Sequence, residues 1–182
     1  MFVGINVAHV QTKIMKPSLS RFVGSLSIVL CLATPPVAAG QYDDGKVAFN
    51  REDFATALRL LRPLADRGNA EAQTLVGSMY ALGEGVPQDY AAAIKWYGEA
   101  AARGDAGAQF GLGGIYFFGN GVPQDFVQAH KWFSLAALRS SGDVGFLRYF
   151  SRRYRDRVAD RMTREQIAEA QKLAREWKPK EN

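Results

Sequence analysis

The sequence predicts an all-α protein made of stacked antiparallel helix pairs with a helical cap at its C-terminal end, and three observations carry that prediction. A block of 36 residues recurs along the middle of the chain, each block is broken twice by glycine, and alanine-rich stretches at helical spacing lie between the breaks. A fixed period of this length is the mark of a repeat array, in which each unit buries its apolar face against its neighbours.

The first element is a leader. Lys16 and Arg21 precede Phe22–Leu32, an apolar run of 11 residues that is too short to cross a bilayer as a helix. Thr34, Pro35 and Pro36 break the run, and Val37-Ala38-Ala39 places small residues where a signal peptidase needs them. Residues 1–39 therefore read as a signal peptide cleaved after Ala39, with Met15 an alternative start, and the mature chain is expected in the periplasm or outside the cell. The only cysteine, Cys31, lies in this leader, so the mature chain has neither disulfides nor a thiolate zinc site.

The formal net charge of +5 is unevenly distributed. Residues up to Arg21 hold three basic and no acidic side chains, residues 41–138 hold 8 basic and 11 acidic, and residues 139–182 hold 12 basic and 7 acidic. An acidic body with a basic tail is not the uniformly basic surface of a nucleic-acid binder, and none is expected as a partner.

The repeats come next. Gly83-Glu-Gly-Val-Pro-Gln-Asp-Tyr90 returns as Gly119-Asn-Gly-Val-Pro-Gln-Asp-Phe126, Gly68-Asn-Ala-Glu-Ala-Gln73 as Gly104-Asp-Ala-Gly-Ala-Gln109, and Lys95-Trp96-Tyr97 as Lys131-Trp132-Phe133. Gly77, Tyr80, Ala100 and Ala101 recur as Gly113, Tyr116, Ala136 and Ala137. A weaker copy precedes them, with Asp53-Phe54, Ala57, Leu60 and Leu64-Ala65 in the same register.

Within a unit, Asn69 caps a helix over 70–82, Gly83 and Gly85 end it, Val86-Pro87 enforces an extended stretch, and Asp89 caps a second helix to about Arg103. Positions that match between units (Ala70, Ala72, Gln73, Val76, Gly77, Tyr80) fall on one side of the first helix and serve packing. Positions that differ fall opposite. On that side Glu71, Thr74, Ser78 and Leu82, with Phe110, Gly114 and Phe118 of the next unit, form the candidate partner-binding surface.

The pattern A-x-A-Q-x-x-x-G-x-x-Y-x-x-G-x-G-V-P-Q-D, followed by A-x-K-W and A-A, resembles the Sel-one-like repeat family, relatives of tetratricopeptide repeats. The resemblance covers about residues 42–140: units at 69–104 and 105–140, with 42–68 as a degenerate N-terminal half-repeat or cap. It implies a right-handed α-solenoid whose first helices line a concave face, and a role as scaffold or adaptor. Some cysteine-rich secreted members are tied to binding cell-wall fragments or β-lactams; the units here hold no cysteine.

Beyond Ser140 the 36-residue beat stops while helical spacing continues. Val144, Leu147, Phe150, Tyr154 and Val158 predict one helix over about 143–159; Thr163 and Gln166 form a capping box for another, striped by Ile167, Ala170, Leu173, Ala174 and Trp177 and ended at Pro179. Residues 141–182 thus read as a capping pair. Arg148, Arg152, Arg153, Arg155 and Arg157 give it a basic face, a solvated helix surface or a contact for anionic lipid, cell-wall polymer or an acidic partner.

A search for chemistry ends without a site. His130 is the one histidine outside the leader, no paired-histidine or G-x-S-x-G motif exists, and Gly111-Leu-Gly-Gly114 lacks the strand and Gly-Lys ending of a phosphate loop. No catalytic residue, metal or cofactor is expected. The leading expectation is a non-catalytic exported scaffold that binds a protein or peptide on its concave face. The alternatives are an enzyme or regulator acting on cell-wall glycopeptide, and a peripheral membrane protein held by the arginine-rich tail.

Overall fold

The computed structural model describes residues 40–139 and 145–180, so the leader, its cleavage point and residues 140–144 lie outside the described residues. Among the described residues the chain is all-helical: α1 (Gln41–Asn50), α2 (Phe54–Asp66), α3 (Ala70–Leu82), α4 (Tyr90–Ala102), α5 (Ala106–Phe118), α6 (Phe126–Arg139), α7 (Gly145–Ala159) and α8 (Arg164–Glu176).

Each repeat is punctuated by side-chain caps. Asn69 and Asp105 accept the backbone N–H of Ala72 and Ala108, both at 2.7 Å, and start the first helices. Asp89 and Asp125 do the same for the second helices through Ala92 at 3.0 Å and Gln128 at 2.9 Å. Thr163 and Gln166 make the reciprocal capping box at α8.

The recurring Gly-x-Gly-Val-Pro-Gln-Asp turn is explained atom by atom. Gly83 and Gly119 end α3 and α5 in the left-handed conformation, at φ 74° and 73°. Gln88 and Gln124 then donate their side-chain amides back to the carbonyls of Ala81 at 2.8 Å and Phe117 at 2.6 Å, satisfying helix-end acceptors that have no partner within the helix. Gly85 and Gly121 press the turn onto the preceding unit; a Cβ there would come within 2.6 Å of Phe54 Cβ and 2.5 Å of Tyr90 Cβ.

Packing between the helices of a pair follows one recipe. The ring of Tyr97 lies against Gly77 and that of Phe133 against Gly113, so close that a Cβ would sit 2.9 Å and 2.7 Å from ring carbons. Leu61 takes the same place in the N-terminal pair, but the glycine it covers is Gly45. That glycine is four residues away from where the 36-residue period would put it, because three residues (51–53) join α1 to α2 where seven (83–89) join α3 to α4. Residues 41–66 are therefore a whole helical hairpin, in which the sequence register showed only the second helix.

Buried alanines and aromatics fill the spaces between pairs. Ala57, Leu61, Ala65, Ala72, Val76 and Trp96 form one core, Ala93, Tyr97, Ala101, Ala108 and Leu112 the next, and Phe117, Ala129, Phe133 and Val158 the third. Tyr80 and Tyr116 pack against these cores, as their recurrence implied.

The C-terminal cap departs from the hairpin plan. α7 packs on α6 and touches α5, but α8 lies along α6 and makes little contact with α7. Its end is fixed by the Arg139 guanidinium, 4.6 Å above the Trp177 ring, and by the Lys180 N–H, which donates to the Ala102 carbonyl at 2.8 Å. Among the described residues α7 is thus left without a helical partner on its outer side.

Candidate functional site

The odd-numbered helices touch in succession, α1 with α3, α3 with α5 and α5 with α7, whereas α2 and α4, and α4 and α6, are not drawn together in this way. The first helices therefore form a continuous inner row, and the candidate residues of α3 and α5 belong to it.

Leu82 and Phe118 occupy the same place in successive units and are 62% and 59% exposed. Ser78 and Leu82 line a groove of about 510 Å³ with Phe49, Asn50, Glu52, Phe54 and Glu84. Phe49 and Phe54 meet edge to face at 5.6 Å, which gives the groove an aromatic wall, and Glu52 and Glu84 give it an acidic rim. Gly114, one repeat on from Ser78, faces open space: a Cβ there would meet nothing within 4 Å. Phe118 stands beside it on the helix, its ring edge-on to Phe117 at 4.8 Å.

The remaining candidates are committed elsewhere. Thr74 donates its hydroxyl to the Ala70 carbonyl at 3.0 Å and to Asp105 Oδ1 at 2.8 Å, so it ties one unit to the cap of the next. Glu71 is exposed and lies near Tyr42, whose hydroxyl is pushed above its ordinary range by burial first, then by Glu71, Asp105 and Asp43. Phe110 is not an open docking floor. Its ring lies 5.4 Å from Phe133 and 5.8 Å from Tyr154, because α7 delivers Tyr154 over it and draws it into the third core.

Ser78 also bonds the Tyr97 hydroxyl, which burial pushes up to about 12 while that bond works in the opposite direction. The groove residues Phe49 and Glu52 escaped sequence reading because they sit at the end of α1 and on the shortened turn after it, where the period breaks. Glu52 adopts φ 62°, a left-handed conformation that its residue type does not announce.

Four of the five tail arginines, Arg148, Arg152, Arg153 and Arg157, border one open face of α7 with Tyr149, Asp156 and Asp160. Arg155 is corrected out of that set. It turns to Asp156 at 2.7 Å and lies close enough to His130 to oppose protonation of the imidazole.

His130 is buried, and its neighbour Ser134 donates its hydroxyl to the His130 carbonyl at 2.7 Å, leaving Nδ1 3.4 Å from the same oxygen. With its proton on that carbonyl, Ser134 is held by its own helix rather than by the imidazole. Among the described residues no three of His, Cys, Asp or Glu converge as metal ligands, and no helix is long and apolar enough to cross a membrane.

Comparison with known proteins agrees with this geometry. The Sel1 repeat model matches residues 70–105 and 106–141. The crystal structure of a protective antigen present in uropathogenic Escherichia coli strains, displaying an SLR fold, superposes with a TM-score of 0.67 and 30% identity over 75% of this chain and 29% of its own. A Sel1 repeat protein from Oxalobacter formigenes superposes with a TM-score of 0.52 and 25% identity over 71% of this chain and 59% of its own. This chain therefore spans less than two thirds of either relative. No curated protein matches it. The two matched segments coincide with the hairpins α3–α4 and α5–α6, and residues 70–141 match the Sel1 repeat as two tandem units within an all-helical array.

Proposed function

We propose that this chain is an exported, non-catalytic scaffold that holds a protein or peptide along the inner row of its repeat array. Sel1 repeats generally serve protein–protein interaction, which supports the coarse reading. The observation that carries the finer one is the pair Leu82 and Phe118, large apolar side chains left exposed at equivalent places of adjacent units. Two apolar contacts one repeat apart, the first beside an acidic rim and the second beside the open floor at Gly114, fit an extended segment or a helix laid across α3 and α5. The leader supports export of the mature chain from Gly40 onward.

Photo-crosslinking in the producing cell tests both parts. A crosslinking residue at 82 or 118 is expected to trap the same partner in the envelope fraction, while one at the exposed Ala91 of α4 traps none. Adducts that are identical at all three positions, or that form only in the cytosol, end the proposal.

A further inference from the structure

The outer face of α7 carries more than a solenoid end requires. A terminal unit must show a polar surface to water, and any mixture of charges provides that. Here the surface combines Arg148, Arg152, Arg153 and Arg157 with two exposed aromatic rings, Phe146 at 77% and Tyr149 at 56%, on the side of the helix opposite the buried Ser151 and Val158. The rings form one group, with Phe146 4.3 Å and Tyr149 5.3 Å from Phe150, and Arg153 donates to the Tyr149 hydroxyl at 3.1 Å. Arg148, Arg152 and Arg157 make no ion pair among the described residues. Asp156 is held by Arg155, which leaves Asp160 as the one carboxylate of this face without such a partner.

We propose that this face docks on an anionic phospholipid surface, with Phe146 and Tyr149 at the level of the acyl boundary and the guanidiniums on the phosphates. Guanidinium groups match phosphate oxygens in paired hydrogen bonds, and amphipathic aromatic rings settle at the headgroup level. The shape selects a plane over a polypeptide. Among the described residues the space of about 720 Å³ over the arginines is bordered by residues 148–160 alone, because α8 lies along α6 instead, so none of them adds a second wall that would make a cleft for a chain. A second copy of this protein is not the occupant, since two such faces repel. The proposal does not depend on the inner-row reading, which concerns α3 and α5.

Sedimentation of the purified protein with vesicles tests it. Vesicles containing phosphatidylglycerol are expected to bind it and pure phosphatidylcholine vesicles are not, with binding abolished at about 1 M salt, where the screening length is about 3 Å. Removing two arginines as Arg148→Gln with Arg152→Gln should weaken partition about thirtyfold, and Phe146→Ser with Tyr149→Ser should also weaken it, while Arg59→Gln on α2 should not. Thermal unfolding of each variant verifies the fold; all four α7 positions and the control position Arg59 are exposed, and an unfolded variant is replaced by the single substitution Arg148→Gln. Absence of vesicle binding, binding that the α7 variants leave unchanged, or binding to polyglutamate without binding to vesicles would overturn the proposal, the last by assigning the face to an acidic polypeptide.

Discussion

Gln73 and Gln109 occupy the same buried place in successive units, yet only Gln73 has its side-chain carbonyl satisfied. Gln73 donates to the Ala65 carbonyl at 3.0 Å and to Glu99 at 2.8 Å, and accepts from Arg103 at 3.3 Å. In the second unit Leu135 stands where Glu99 would be, Arg139 is drawn over Trp177, and the Gln109 carbonyl oxygen has no hydrogen-bond partner among the described residues. A buried polar group left unpaired costs about 1–3 kcal/mol. Gln109→Met is therefore expected to be neutral or stabilising in urea unfolding, while Gln73→Met, which strands Glu99 and Arg103, loses about 1–2 kcal/mol.

Gly113 and Gly114 are neighbours in one helix with opposite surroundings. A Cβ at 113 would lie 2.7 Å from the Phe133 ring, and one at 114 would touch nothing. Gly113→Ala should destabilise by about 1–3 kcal/mol through overpacking, and Gly114→Ala should stabilise by about 1 kcal/mol through helix propensity alone. Paired denaturation curves measure both, and equal effects would contradict the packing described for α5.

Burial holds the His130 imidazole below its ordinary value of 6.5, with Arg155 adding to the effect and Asp156 opposing it. The unfolded chain thus binds a proton that the folded one resists, so this contribution is complete above pH 6.5 and is lost as pH falls toward the lowered folded value. Between about pH 8 and about pH 5 the wild type should lose more thermal stability than His130→Gln, and a difference of the reverse sign would contradict the burial.

Trp177 holds the last helix through Arg139. Trp177→Ala is expected to cost about 0.5–1 kcal/mol, as a partly exposed cation–π contact does, and to raise hydrogen exchange in α8 before any change in α3 or α4.

The fold was legible where side chains repeat, since Asn69, Asp89, Asp105 and Asp125 announce helix starts and Gly83 and Gly119 announce ends. α1 was hidden because a turn four residues shorter throws it out of register, although its glycine, Gly45, still receives the side chain of Leu61. The candidate surface was legible in part. Leu82 and Phe118 are exposed as divergent positions should be, but Phe110 diverges for another reason: it packs Tyr154 of α7, which follows the last repeat and does not share its sequence. Divergence between repeats reports an end as readily as a binding face, and a single chain does not separate the two. The departure of α8 from α7 has no signature at all, because both helices carry the apolar stripe that either partner would accept.

An array of this kind is held together link by link, so its ends ordinarily fray on their own. The backbone bond from Lys180 to Ala102 passes over one unit and anchors the terminus to the hairpin before it. Melting the last helices must then release α4 from part of its satisfaction, and loosening α4 must free the terminus. Such a strap couples the melting of the terminus to that of α4 by about 0.5–1.5 kcal/mol, so unzipping from this end is less strictly neighbour by neighbour.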